Sequence, residues 1–292
     1  MPVTGGRLAP LRRALDVWGF TAGFTAPHRD LMLRAGDGVR LAASLLPGPA
    51  GPPATVPAVV VAPGFGAHRR KPAYVRLAEG LTAQAAVLAV DPRGHGDSEG
   101  VCTLGDREAL DVVAAARWLL ERGHRWVVAV GASMGGVAVL RAAAGDAGVD
   151  IDAVCAISVP AVWGVSDTRA ARALARIVAR GWYRGLAGAA LRVRITRTWA
   201  DVDEPLDLVG RVAPRPLLLV HGADDHFFAP EHARRLYDGA GGPCTLWLEP
   251  AGFGHAEDGL NGAFVDRLAA AVATCRRTGR WPPTRSVSTD AR

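Results

Sequence analysis

Short runs of uninterrupted apolar residues recur along the chain from residue 58 onward. They are rich in Val, Ala, Leu and Ile and do not alternate with polar residues, which is typical of strands buried on both faces. The runs are Ala58–Ala62, Ala86–Val90, Trp126–Val130, Ala153–Ser158, Pro216–Val220 and Thr245–Leu248. Segments with helical spacing lie between or after them, at Pro72–Gln84, Asp106–Arg122, Gly136–Ala144 and Asp258–Arg277. This order predicts an α/β fold with a mostly parallel central sheet and helices on both faces.

The chain before and after this core has a different pattern. His28–Arg34 and Val39–Leu46 flank Gly36-Asp37-Gly38, which predicts a β-hairpin. Residues 1–27 contain a weakly amphipathic stretch and predict an N-terminal helical segment, with contact to a membrane surface as an open alternative. Residues 280–292 have no periodicity and predict a disordered tail.

One interval is too long to be a simple connection between strands. More than fifty residues, Val159–Arg215, separate the strand that ends near Ser158 from the one that begins near Pro216. A connection of this length is uncommon without structure of its own. We therefore predict a helical lid at 159–215, inserted in a core formed by 28–158 and 216–279.

Composition and charge narrow the class of protein. The chain has 292 residues, 49% hydrophobic and 21% charged, which is ordinary for a globular protein. The net charge is +6, but Lys71 is the only lysine and the arginines are scattered, so we expect no nucleic-acid partner. The chain has no run of 18 consecutive apolar residues, so we expect no transmembrane span. Arg12 and Arg13 interrupt any signal peptide, and the four cysteines have no metal-like spacing, so we expect free thiols in the cytoplasm.

A serine between glycines is the main candidate for chemistry. Gly131-Ala132-Ser133-Met134-Gly135 follows one predicted strand directly and opens a predicted helix, the setting that exposes a serine Oγ on a sharp turn. A serine hydroxyl needs an adjacent base that is oriented by a third group. Asp224 and Asp225 follow one later strand, and His255 follows the next. We expect these side chains to meet Ser133 at the same edge of the sheet.

Two backbone N–H groups are expected to stabilise the negative charge that develops on an acyl oxygen. One is that of Met134, directly after the serine. The other is that of Phe65, in the glycine-rich segment Pro63-Gly64-Phe65-Gly66 that follows the strand Ala58–Ala62. The remaining histidines show no metal-ligand spacing, so we expect neither a metal nor a cofactor.

Together these motifs resemble the α/β-hydrolase superfamily. The segment from Asp91 to Ser98, DPRGHGDS, is similar to its D-x-R-G-x-G-x-S loop, and His221-Gly222-x-x-Asp225 is similar to its acid loop. The resemblance implies the α/β-hydrolase fold and Asp225 as the acid, with Asp224 facing solvent or capping its own loop. The nearest group is that of lidded esterases, monoacylglycerol lipases and serine aminopeptidases. Many of them have His-Gly where this chain has Pro63-Gly64.

The function implied is hydrolysis of a carboxylic ester by Ser133, His255 and Asp225 through an acyl-enzyme. An acyl thioesterase or a small peptidase with the same triad is an alternative, and a non-catalytic binding protein on the same fold is an alternative of another class. Lid tryptophans can line an apolar acyl pocket or pack the lid on the body: Trp163, Trp182 and Trp199. Lid arginines at helical spacing indicate a solvated face or a site for an anionic substrate: Arg169, Arg172, Arg176, Arg180 and Arg184.

Overall fold

One mixed sheet runs through the described part of the chain. The computed structural model describes residues 21–145, 149–163, 168–170, 172, 193–198 and 202–283. The strands are β1 (Arg29–Arg34), β2 (Arg40–Leu46), β3 (Ala58–Ala62), β4 (Ala86–Val90), β5 (Val127–Ala132), β6 (Ala153–Ile157), β7 (Leu217–Gly222) and β8 (Cys244–Glu249). Their order is β1-β2-β4-β3-β5-β6-β7-β8. The pairs β1–β2 and β2–β4 are antiparallel and the others are parallel, which confirms the predicted sheet and the hairpin.

Helices cover both faces of this sheet. Within the described residues they are α1 (Pro72–Leu81), α2 (Glu108–Glu121), α3 (Met134–Ala144), α4 (Pro205–Val209), α5 (Pro230–Asp238) and α6 (Gly262–Thr278). In β3, Val60 packs in the cluster that contains residues of α2 and α3, whereas Val59 and Val61 pack in the cluster that contains residues of α1 and α6. Because successive strand residues point to opposite faces and both faces are covered, the apolar runs show no alternation.

The parallel strands bring four loops together at their carboxyl ends. The segment Pro63–Gly66 follows β3, Ser133 follows β5, Asp225 lies beyond β7 and His255 lies beyond β8. Ligands of open α/β sheets bind at this edge. The fold therefore places every predicted catalytic residue on one side of the molecule.

The last predicted helix, Asp258–Arg277, is two elements. A 3-10 turn at Ala256–Gly259 is followed by α6, which begins at Gly262. The break occurs at Asn261, whose side chain accepts a hydrogen bond from the N–H of Phe264 at 3.0 Å and caps the new helix. His255 lies just before the 3-10 turn and so belongs to a short loop of its own.

The predicted insertion is too long at its C-terminal end. Val209 and Val212 lie within 159–215, yet they are buried in the same cluster as α2 and α3, and the preceding Leu208 is buried as well. Residues 205–212 therefore belong to the core. The segment 193–198 pairs with the loop after β4 through a parallel bridge between Ile195 and Cys102. Most of the remaining predicted lid, and residues 1–20 of the predicted N-terminal segment, lie outside the described residues.

The predicted tail begins too early. Trp281 is 3% exposed, and its indole N–H donates to the carbonyl oxygen of Pro216 at 3.0 Å. The hydroxyl of Thr245 donates to the carbonyl oxygen of Trp281 at 3.2 Å, and the indole of Trp247 donates to that of Pro282 at 3.0 Å. A large apolar side chain thus holds the chain on the body beyond α6. Residues 284–292 lie outside the described residues.

Candidate active site

The turn between β5 and α3 holds Ser133 in a rarely adopted backbone conformation, with φ of +52° and ψ of −117°. Two glycines make this turn sterically possible. A Cβ atom on Gly131 would lie 2.1 Å from the carbonyl oxygen of Gly135, and one on Gly135 would lie 2.0 Å from that of Ala62. The segment forms a sharp strand–turn–helix elbow with Ser133 at its apex.

Ser133, His255 and Asp225 are joined by hydrogen bonds. Oγ of Ser133 lies 3.0 Å from Nε2 of His255. Nδ1 of His255 lies 2.8 Å from Oδ2 and 3.0 Å from Oδ1 of Asp225. A carboxylate can only accept, so Nδ1 carries the proton and Nε2 is free to accept the serine proton. The structure thus brings together the three side chains that the sequence analysis named.

The carboxylate of Asp225 is buried and held by backbone groups as well as by the histidine. Its Oδ1 accepts hydrogen bonds from the N–H of Phe227 at 2.8 Å and of Phe228 at 3.0 Å. Burial alone would raise the pKa of Asp225, but the hydrogen bond and charge of His255 and the Phe228 N–H outweigh burial and lower it. A fixed anion therefore faces Nδ1 of His255.

Asp224 has a role that the sequence analysis did not predict. Asp224 is exposed to solvent, as one of the two predicted alternatives has it, but it does not cap its own loop: its carboxylate accepts hydrogen bonds from the N–H of Gly252 at 2.6 Å and of Gly254 at 2.9 Å. These two hydrogen bonds lower the pKa of Asp224. Gly254 directly precedes His255. The two neighbouring carboxylates therefore divide their contacts, Asp225 to the imidazole and Asp224 to the backbone of the histidine loop.

Aromatic rings surround the imidazole of His255, and the sequence analysis missed them. The ring centroid of Phe227 lies 4.7 Å from that of His255, that of Phe228 lies 5.5 Å away, and that of His226 lies 5.9 Å away. The rings limit the positions that the imidazole can adopt. The signal was present, because all three residues directly follow Asp225 in the chain.

The two predicted oxyanion donors lie beside the elbow. Gly64 packs against it, since a Cβ there would lie 3.3 Å from Cβ of Ser133. Phe65 is the next residue, and Met134 is the first residue of α3. Within the described part of the chain, neither the Phe65 nor the Met134 N–H donates to a protein acceptor. Both groups are therefore available to an oxygen bound next to Ser133.

The lid residues proposed from the sequence are not brought to this site by any described contact. Trp163 is half-buried and packs against the cluster that contains α2 and α3, and its backbone N–H donates to Glu204. Trp182 and Trp199 lie outside the described residues. Of the arginine stripe, Arg169 and Arg172 are described and are exposed.

The described residues hold neither a cluster of metal-ligating side chains nor a membrane-spanning helix. They contain no group of three or more His, Cys, Asp or Glu side chains arranged to hold a metal ion. None of their helices combines the length and the apolar character needed to cross a lipid bilayer.

Solved structures of esterases share this fold. The esterase Pf2001 of Pyrococcus furiosus is 21% identical, with a TM-score of 0.66 over 96% of this chain and 98% of that chain. The esterase domain of a Rhodothermus marinus protein is 23% identical, with a TM-score of 0.59 over 86% of this chain and 99% of that one. Est1E of Butyrivibrio proteoclasticus, solved with ferulic acid bound, is 21% identical, with a TM-score of 0.59 over 85% and 98%. At such identities the likeness shows the fold.

The sequence itself matches a family model. No protein with a curated function matches the sequence significantly. The model described as the alpha/beta hydrolase family matches residues 59–280, which include the elbow, the acid loop and the histidine loop. The match spans most of the chain and agrees with the sheet order and the strand–turn–helix elbow. This chain belongs to the alpha/beta hydrolase family.

Proposed function

We propose that this protein is a serine hydrolase that cleaves carboxylic esters through an acyl-enzyme intermediate. The observation that carries the proposal is the continuous hydrogen-bonded chain from Ser133 Oγ to His255 Nε2 at 3.0 Å and from His255 Nδ1 to Asp225 Oδ2 at 2.8 Å. This order of nucleophile, base and acid activates a serine hydroxyl. The esterases among the similar structures support an ester as the substrate class.

In the acylation step, Oγ of Ser133 forms a bond to the ester carbonyl carbon while Nε2 of His255 takes the hydroxyl proton. The carbonyl electrons move onto the oxygen, where the N–H groups of Phe65 and Met134 stabilise the charge. The bond to the alcohol oxygen then breaks, and the alcohol leaves with the proton from His255. Asp225 holds the tautomer of His255 and stabilises its imidazolium form.

Deacylation uses the same groups with water as the nucleophile. His255 takes a proton from water as the water oxygen bonds to the acyl carbon. The second tetrahedral intermediate collapses, the bond to Ser133 Oγ breaks, and the serine regains its proton from His255. The acid product leaves and the starting enzyme is restored.

The alternatives differ in how the observations support them. An acyl thioester or a short peptide would react through the same atoms, so both stay alternatives. A binding protein without catalysis would need neither the positive φ of Ser133 nor the Phe65 and Met134 N–H groups, which have no acceptor among the described residues, and these features favour an enzyme. The cytoplasm stays a prediction, supported by four cysteines that are free thiols.

A fluorophosphonate probe, which phosphonylates activated serines, tests the proposed nucleophile. We expect one label per molecule, mapped by peptide mass spectrometry to Ser133, and hydrolysis of p-nitrophenyl esters. Ser133→Ala should lose both the label and the turnover and keep the circular dichroism spectrum of the parent. An unlabelled parent, or a label that persists in the alanine variant, would contradict the proposal.

A substrate panel separates ester hydrolysis from its alternatives. p-Nitrophenyl esters of graded chain length, acyl-CoA thioesters and aminoacyl anilides are compared by kcat/KM on the same preparation. We expect the esters to give the highest values. If acyl-CoA or an anilide gives the higher kcat/KM, the proposed substrate class changes to a thioester or a peptide, and the proposed triad stays the same.

A further inference from the structure

The peptide that carries the Phe65 N–H is held from both sides by buried side chains outside the triad. The N–H of Gly64 donates to the hydroxyl oxygen of Tyr74 at 2.9 Å. The N–H of Gly66 donates to Nε2 of His95 at 3.2 Å. Among the N–H groups of Gly64, Phe65 and Gly66, only that of Phe65 has no protein acceptor within the described residues.

The tautomer of His95 suits this contact. Its Nδ1 lies 3.0 Å from the carbonyl oxygen of Arg93, which can only accept, so Nδ1 carries the proton and Nε2 is an acceptor. The side chain is 1% exposed, and burial lowers the pKa of His95, which keeps the imidazole neutral. The Phe65 ring meets that of His95 edge-on, with centroids 6.0 Å apart and planes at 86°. His95 thus contacts both the amide after Phe65 and the Phe65 side chain.

Tyr74 holds the other end of the same segment. It is 1% exposed, lies in the first turn of α1 and is therefore fixed by the helix. A Cβ on Gly64 would lie 3.4 Å from the Tyr74 hydroxyl and 3.3 Å from Cβ of Ser133. The hydroxyl therefore holds the segment where it touches the elbow. Neither contact involves the nucleophile, the base or the acid.

We propose that Tyr74 and His95 are positioning residues that clamp the Gly64–Gly66 segment and aim the Phe65 N–H at the oxyanion. The inference rests on the proposed function and adds to it a device that orients an oxyanion donor from outside the triad. Oxyanion stabilisation depends on donors that are oriented before the reaction. If the segment were loosened, the Phe65 N–H would still be present but would no longer be oriented toward the oxyanion.

Tyr74→Phe and His95→Leu each remove one acceptor, and the rate of fluorophosphonate labelling measures the result. The phosphonyl oxygen takes the place of the acyl oxygen, so the labelling rate reports on the oxyanion donors without knowledge of the natural substrate. We expect each variant to be labelled about tenfold more slowly, less than the loss of a donor outright, which is about 10²–10³-fold. The final stoichiometry of the label should stay that of the parent.

Two comparisons distinguish positioning from a general loss of structure. His95→Gln keeps an acceptor oxygen near the position of Nε2 and should recover most of the rate. His124→Leu removes another buried histidine, whose Nδ1 contacts the Val56 carbonyl oxygen at 3.0 Å, and should be labelled at the parental rate. With a p-nitrophenyl ester, the Tyr74 and His95 variants should lower kcat and leave KM within about threefold.

Each outcome decides the matter. Slow labelling at full stoichiometry, with rescue by glutamine, supports the clamp. Parental rates in Tyr74→Phe and His95→Leu would overturn it and leave the proposed function intact. A fall in stoichiometry at an unchanged rate would also overturn it, since it would mean a smaller folded fraction. An unreactive parent would overturn the proposed function, and the clamp with it.

Discussion

At the scale of single residues, two adjacent carboxylates have different partners. Asp225 contacts the imidazole of His255, and Asp224 contacts the backbone N–H groups of Gly252 and Gly254. Asp225→Asn replaces the acceptor with an amide that can donate to Nδ1 and so favour the tautomer that cannot take the serine proton. We expect kcat for a p-nitrophenyl ester to fall by about 10²–10⁴ with KM little changed.

Asp224→Asn is the matched control for that prediction. Its side chain keeps one oxygen that can accept from the glycine loop, so kcat should stay within about tenfold of the parent. Steady-state kinetics on both variants give the comparison. If the Asp224 variant is the inactive one, the roles of the two carboxylates are reversed. If neither variant loses activity, the acid lies elsewhere in the fold.

At the scale of elements, the loop after β4 that carries His95 is tied to two other parts of the chain. Arg93, whose side chain is 3% exposed, contacts Asp111 of α2 at 2.7 Å and Asp37 of the β1–β2 turn at 2.7 Å. Arg93→Gln would leave the Asp111 carboxylate buried without its cation. Burial raises the pKa of Asp111 to about 7 even beside Arg93, so the comparison is made at pH 8, where the carboxylate of the parent is ionised. We expect a loss of about 3–5 kcal/mol in the free energy of unfolding, measured by urea denaturation.

An exposed ion pair beside this loop is the control. Arg40 contacts Glu99 at 3.4 Å, and their side chains are 50% and 57% exposed. Water and salt screen such a pair, so Arg40→Gln should cost no more than about 1 kcal/mol. Equal losses of unfolding free energy in the two variants would mean that Arg93 does not hold the loop through the buried carboxylate of Asp111.

The same scale shows which elements a sequence predicts well. The strands were predicted closely, because both faces of the sheet are covered and uninterrupted apolar runs are hard to mistake. The ends of the helices were predicted less accurately, because they depend on local caps such as that of Asn261, which divides the last predicted helix in two. The core position of α4 was missed, since its burial depends on packing against elements distant in the chain.

At the scale of the whole molecule, the candidate site combines residues from four loops that parallel strands bring to one edge. Ser133 and His255 were predicted because each follows a recognisable strand and has the side chain that the chemistry requires, whereas the choice of Asp225 over Asp224 depended on the resemblance of its loop to that of a known family. The contact of Tyr74 with Gly64 was not predicted, because a tyrosine within an amphipathic helix gives no sign of which backbone group its hydroxyl contacts. His95 lay in a motif, but its contact with Gly66 requires two loops to meet, which sequence spacing does not encode.

The opposite edge of the molecule depends on the C-terminal segment. Trp281 packs beside the amino ends of β7 and β8, where it contacts Pro216 and Thr245, away from the candidate site. Trp281→Ala would remove one of the largest buried side chains and leave a cavity, so we expect the free energy of unfolding to fall by about 3–5 kcal/mol in urea denaturation.

Tyr237→Ala is the aromatic control for that change, because Tyr237 is 43% exposed and its removal leaves no buried cavity. It should shift the urea midpoint far less than Trp281→Ala. The labelling rate of the folded Trp281→Ala protein should equal that of the parent, since the triad lies at the other end of the strands. A parental urea midpoint for Trp281→Ala would mean that the C-terminal segment does not stabilise the sheet, and a slower labelling rate would mean that the two edges are coupled.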